Sequence, residues 1–398
     1  MKTHIKLIIT GFVIQLTTMA FGRFAYTLIL PAMMKSLEFS NTQMGMLGMG
    51  IVLGYLMNCL FSGVLSHRIG EERVVHISVG TLSVALFGLG FFSRFGVLLV
   101  FSVLLGAGAA GSYIPLVAIL NTHFHERGKA YGIVTGGVGI GTMLCGYLVP
   151  LLLEVSQESG YRISWWVLSL INIMVLAPAL LFLKNDHVKE KPHSAPQAFR
   201  GILLLFSKNR PLLLTGVIYF FLGFSYIIYV IYFGAYSIEE IGFSERSTGM
   251  MWSLFGINLI YSGIFWGALL DRYNKITVAV VVNALLAFSV LLVLPFKREV
   301  LFYISTFIFG FSFMGFLTVI FLFISNVVNK NEMAKVFGAS TLIHSAGQIF
   351  STFLAGLLKD ITGTFKVSFG ISLCILITCI FLFLVLRKKL QPATENST

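Results

Sequence analysis

The chain has 398 residues, 57% of them hydrophobic and only 11% charged, far below the ~25% charge of an ordinary soluble protein. Its mean hydropathy is +0.90, and its apolar stretches of about 20 residues or more are each long enough to cross a hydrocarbon core of ~30 Å. These properties make it a polytopic helical membrane protein and exclude soluble enzymes and nucleic-acid-binding domains, while the net charge of +12 is spread over short loops.

In chain order, twelve spans are predicted. They cover residues 5–34, 42–66, 73–92, 95–121, 130–153 and 163–183, then 211–236, 247–270, 275–295, 300–328, 335–358 and 365–386. The start, with Lys2 and Lys6 ahead of an apolar run and small residues at Ala20 and Gly22, has a signal-peptide outline. The run continues to Met34, so the first helix is read as uncleaved. The connection 184–210 carries Lys184, Asp186, Lys189, Glu190, Lys191 and two prolines, as a cytoplasmic linker would. Within it Phe199, Ile202, Leu203 and Phe206 recur at helical spacing beside Arg200 and Lys208, an interfacial pattern. The expected domains are a six-helix bundle over 1–183, the linker 184–210, a second bundle over 211–390 and a cytoplasmic tail over 391–398.

Orientation follows the basic residues. With the N-terminus inside, 19 Lys and Arg fall on the cytoplasmic side, 8 on the outer side and 1 within a span, so both termini are expected in the cytoplasm. Cys59, Cys145, Cys374 and Cys379 all lie in apolar stretches without metal or redox spacing. No disulfide, metal site or cofactor is implied.

The two halves echo each other. Gly63-Val-Leu-Ser-His67-Arg68 after span two is matched by Gly267-Ala-Leu-Leu-Asp271-Arg272 after span eight, an offset of 204. Glu126-Arg-Gly-Lys129-Ala-Tyr-Gly132 after span four is matched by Glu332-Met-Ala-Lys335-Val-Phe-Gly338 after span ten, an offset of 206. Two landmarks agreeing this closely indicate an internal repeat of six spans.

These motifs and the six-plus-six arrangement resemble the major facilitator superfamily (MFS) of secondary transporters over the whole chain. Phe21-Gly22-Arg23-Phe24-Ala25-Tyr26-Thr27-Leu28-Ile29-Leu30-Pro31, with the Gly106-x-Gly108 segment leading to Pro115, is similar to the bacterial YbfB/YjiJ-type branch. The resemblance implies an all-α membrane fold of two pseudo-symmetric six-helix bundles. It also implies alternating access around a central cavity lined by spans 1, 4, 7 and 10. Gly63, His67, Arg68, Asp271 and Arg272 then become gating residues. His67 stands where the family carries an acidic residue, which weakens the first-half latch. The chain also lacks the Gly-Pro-x-x-Gly-Gly pattern of drug and proton antiporters in span five. Ser102 occupies the place of the family's span-four basic residue.

Arg23 is the main candidate for chemistry, because an arginine in mid-span costs ~2.5–3.5 kcal/mol unless it faces protein or water. On an unbroken helix Gln15, Met19, Arg23, Tyr26, Thr27 and Leu30 share its face. None of the sixteen acidic residues lies in mid-span. A guanidinium there favours a small organic anion, which it can hold bidentately. His344 is the histidine nearest the middle of a span, in register with Ser340, Thr341, Gln348 and Ser351. Its titration range makes His344, with Gln348, the candidate for proton coupling. Tyr113 in span four, Tyr226 and Tyr229 in span seven and Asn258 in span eight complete the expected substrate contacts.

The resulting expectation is a transporter of a small carboxylate-type anion across a bacterial inner membrane, coupled to H⁺ and acting as a monomer in the lipid bilayer. It is neither an enzyme nor a nucleic-acid binder. Two alternatives stand beside it: export of amphiphilic drugs, suggested by 38 phenylalanines and the methionines of span two, and a non-transporting membrane sensor with the same fold.

Overall fold

The computed structural model describes residues 2–124, 127–156, 158–183, 210–327 and 333–390. The proposed interfacial piece at 199–206, the linker and the tail lie outside them, as do Glu126 and Glu332 of the loop motifs. The described residues are helical throughout, without a strand, and twelve helical segments are long and apolar enough to cross a membrane.

The first half runs α1 (Lys2–Met19), α2 (Tyr26–Leu37), α3 (Asn41–Ile69), α4 (Glu71–Phe91), α5 (Phe95–His123), α6 (Arg127–Glu154) and α7 (Gly160–Phe182). The second runs α8 (Arg210–Ala235), α9 (Glu245–Arg272), α10 (Lys275–Val293), α11 (Glu299–Val327), α12 (Met333–Thr362) and α13 (Lys366–Leu390). The ends follow local chemistry. Ser40 opens α3 with a capping box, accepting from the Gln43 N–H while Gln43 Oε1 accepts from the Ser40 N–H. Gly70, at φ 99°, closes α3. Asn274 caps α10 by accepting from the N–H groups of Ile276 and Thr277.

Two expectations about the spans change. The first span is broken: α1 and α2 are separated by a π-helical turn at Ala20–Phe24, closed by the Ala25 N–H on the Ala20 carbonyl at 3.0 Å. A π turn carries one extra residue and rotates everything beyond it relative to everything before. Tyr26 is therefore turned away from the face that carries Gln15 and Met19. The seventh span, expected to stop at 236, continues through a second π turn at Tyr236–Ile241 to Gly242, at φ 91°, which brings Glu239 and Glu240 into its last turns.

The chain forms two compact units. One comprises Met1–Pro192 with Val230–Ile260 and Thr352–Phe365; the other comprises His193–Tyr229, Tyr261–Ser351 and Lys366–Thr398. In the first, α5 packs along α3 and α4, and α1 along α6 and α7. Leu7, Ile14, Val79, Leu116, Val134 and Val175 form part of its apolar core. Backbone contact sets the α3–α5 spacing, since a Cβ on Gly54 would lie 1.8 Å from the Val103 carbonyl oxygen and one on Gly106 1.8 Å from that of Ile51. In the second unit, α10 packs against α11 and α13.

Candidate functional site

The π turn places Arg23 within the first unit, half-buried, with its guanidinium 5.0 Å from the centroid of the Tyr55 ring on α3. Cys59, one turn beyond Tyr55, lies within electrostatic reach of Arg23. Tyr113 of α5 is in electrostatic reach of Tyr55 and Cys59, and its hydroxyl is hydrogen-bonded to that of Tyr131 on α6. Arg23, Tyr55, Cys59 and Tyr113 are each only partly buried, and Tyr131 is 39% exposed. A guanidinium open to hydrocarbon is costly, so Arg23 at this depth requires protein or water around it. The chemistry of the group is one cation, three phenols and a thiol, suited to a small anion with hydroxyl or aromatic character.

Gln15 lies on α1, fully buried, and neither its Oε1 nor its Nε2 has a hydrogen-bond partner among the described residues. Tyr26 is committed elsewhere, since its buried hydroxyl donates to the Met44 carbonyl at 2.7 Å and ties α2 to α3. Asn258, also fully buried, donates from Nδ2 to the Leu254 carbonyl of its own helix at 2.8 Å.

The remaining candidates gather in the second unit. His344 of α12 is buried, and its Nδ1 lies 2.9 Å from the Tyr219 carbonyl. A carbonyl only accepts, so Nδ1 carries the proton and Nε2 is the basic nitrogen of the neutral ring. The imidazole stacks on Tyr219 with centroids 4.0 Å apart and on Tyr226 with centroids 5.5 Å apart. Tyr226 is braced by Phe313 and Phe316. Glycine permits this approach: a Cβ on Gly223 would stand 2.3 Å from the His344 carbonyl oxygen and 2.8 Å from Nδ1. Gln348 is buried one turn further along α12. Tyr229 is fully buried, stacked on Phe309 and hydrogen-bonded through its hydroxyl to Ser305 Oγ at 2.7 Å.

The five loop residues expected to gate, Gly63, His67, Arg68, Asp271 and Arg272, are all exposed, at or near the last turns of α3 and α9. A separate concavity of about 390 Å³ in the first unit is lined by Lys35, Arg246, Glu154 and Glu245 among others. It carries both signs of charge and so selects neither.

The sequence named Arg23, Tyr113 and His344 as candidates; the structure adds Tyr55, Cys59 and Tyr131 to the first group and sets Tyr219 against His344. Tyr55, Cys59 and Tyr131 interrupt apolar stretches without a period that marks them. They become visible only when α3, α5 and α6 are brought beside the π turn.

Comparison with known proteins places the chain. The family model described as Major Facilitator Superfamily matches residues 12–352. The hexuronate transporter of Bacillus subtilis (strain 168) is 22% identical over 370 residues, covering 87% of this chain and 86% of the relative. Multidrug resistance protein 2 of the same organism is 23% identical over 377 residues, covering 91% and 92%. Among solved structures, a mutant of the nucleoside transporter NupG superposes with a TM-score of 0.80 at 13% identity, covering 96% of this chain and 99% of that one. The chain belongs to the Major Facilitator Superfamily, and is a multi-pass membrane transporter rather than an enzyme.

Proposed function

We propose that this transporter moves a small organic anion of the carboxylate class, with Arg23 as its anchor and the hydroxyls of Tyr113 and Tyr131 beside it. The observation that carries the reading is a half-buried guanidinium placed by a π turn in mid-span, 5.0 Å from the Tyr55 ring. No carboxylate occupies a mid-span position in the sequence, so the fixed charge of the site is positive. The hexuronate-transporting relative supports the same class. Gln15, whose buried amide has no hydrogen-bond partner among the described residues, is a reserve contact for the anion. Tyr26, Tyr229 and Asn258 act by holding helices rather than by touching substrate.

Proton coupling is assigned to His344 Nε2. Tyr219 fixes the tautomer, Tyr219 and Tyr226 offer π-faces to the imidazolium, and Gln348 lies one turn away on the same helix. The bundles over 1–183 and 211–390 are the expected moving bodies, with Gly63, His67, Arg68, Asp271 and Arg272 in the cytoplasmic gate. On the basic-residue distribution both termini face the cytoplasm of a bacterial cell, and the protein works as a monomer.

The test is uptake of glucuronate and gentisate into proteoliposomes under an inward proton gradient. Flux in the wild type, abolished by Arg23→Ala in folded protein, supports the reading; flux that survives the substitution overturns it. Export of amphiphilic compounds is the second reading, favoured by the multidrug-resistance relative. It would show as resistance indifferent to Arg23.

A further inference from the structure

We infer that Trp252 is a positioning residue for the Arg23 site, acting through the backbone of the π turn; this rests on Arg23 being the anion anchor. In an unbroken α-helix the Phe24 carbonyl would accept from the Leu28 N–H. Here the Leu28 N–H turns instead to the Ala25 carbonyl at 3.1 Å, after the Ala25 N–H has closed the wide turn on Ala20. The carbonyl of Phe24 is thereby released from the ladder. A buried carbonyl requires a donor, and the Trp252 indole N–H supplies it at 3.0 Å.

Trp252 is held rigidly for this task. It is fully buried, stacked on Phe255 with centroids 4.6 Å apart and on Phe233 at 5.9 Å, while Phe24 meets Phe255 edge-on at 5.5 Å. A second tie lies just beyond, where the Gly234 N–H donates to Thr27 Oγ1 at 3.1 Å. The segment Val230–Ile260 therefore grips the chain on both sides of Ala25, at the residue next to Arg23. Fixing the Phe24–Ala25 peptide fixes the direction in which the Arg23 side chain leaves the turn. A small displacement of the α9 segment would re-aim the guanidinium, linking α9 to the anion site through one hydrogen bond.

The test uses Trp252→Phe, which keeps a ring against Phe255 but removes the donor, and Trp252→His, which restores a ring N–H. Cys59, within reach of Arg23, reports on the site through its rate of alkylation by N-ethylmaleimide in a Cys374→Ser background; Cys145 and Cys379 are buried. The expected result is a change of about two- to tenfold in both the Cys59 rate and the KM for glucuronate in Trp252→Phe. The turnover rate should change less, and Trp252→His should return both values toward wild type. Should the phenylalanine variant accumulate poorly, Trp252→Leu, which also lacks a donor, repeats the measurement.

A wild-type Cys59 rate and KM in Trp252→Phe, with uptake abolished by Arg23→Ala, would overturn the positioning role alone. Normal uptake by Arg23→Ala together with an altered Cys59 rate in Trp252→Phe would overturn the anchor while upholding the hold on the turn.

Discussion

The imidazole of His344 lies against Tyr219 twice over, with its Nδ1 2.9 Å from the Tyr219 carbonyl and its ring 4.0 Å from the Tyr219 ring. One residue thus sets both the tautomer and the stacking surface. If Nε2 carries the transported proton, His344→Gln will lose uptake driven by a pH gradient while keeping anion exchange at symmetric pH. The two assays, run on the same proteoliposomes, check this.

Charge and shape separate at Arg23. Lysine keeps the positive charge but cannot hold a carboxylate through two parallel N–H groups. Arg23→Lys is expected to retain binding weakened by about tenfold or more, a loss of ~1.5 kcal/mol or more, and Arg23→Ala to show none. Isothermal titration with a binding acid distinguishes them.

Tyr131 reaches Tyr113 through its hydroxyl. Tyr131→Phe removes that group and leaves the ring, so the expected effect is a rise in KM of a few-fold without loss of folded protein, on the scale of one neutral hydrogen bond at ~0.5–1.5 kcal/mol. Initial-rate uptake measures it.

Gly223 has no space for a side chain beside His344. Gly223→Ala must push α12 away from α8, an overpacking strain of about 1–3 kcal/mol. A lower thermal midpoint in detergent, accompanied by weaker proton coupling, is the expected pair of results.

Asp360 closes the start of α3. Its carboxylate accepts from the Asn41 N–H and Nδ2 at 3.0 and 2.8 Å, and from the Thr42 N–H and Oγ1 at 2.7 and 2.6 Å. An anion capping a helix N-terminus from the far end of the sequence joins α12 to α3. Asp360→Ala should cost about 1–2 kcal/mol and leave the intrinsic anion affinity at Arg23 unchanged. Thermal unfolding and equilibrium binding, compared on one preparation, test both halves of this expectation.

The class and the twelve spans were legible in the chain alone. Segment length against membrane thickness and the cost of a buried cation are one-dimensional arguments, and they single out Arg23 and His344 as candidates without coordinates. Span limits agreed with the helices to within a few residues except at the seventh, eleventh and twelfth, where α-helical or π-helical turns run on beyond the apolar stretch. Tertiary structure decided the rest. The π turn at Ala20–Phe24 cannot be read from apolar periodicity, because Gly22 and Pro31 weaken the helix without saying where the ladder slips. That slip separated Gln15 from Tyr26, which the sequence had placed on one face, and released the Phe24 carbonyl to Trp252. The partners of the two central groups come from positions distant in the chain: Tyr55 for Arg23, Tyr219 and Tyr226 for His344. An aromatic side chain in a membrane span has the same composition signal whether it packs, stacks on a cation or faces a cavity, and only the packing of the helices tells these apart.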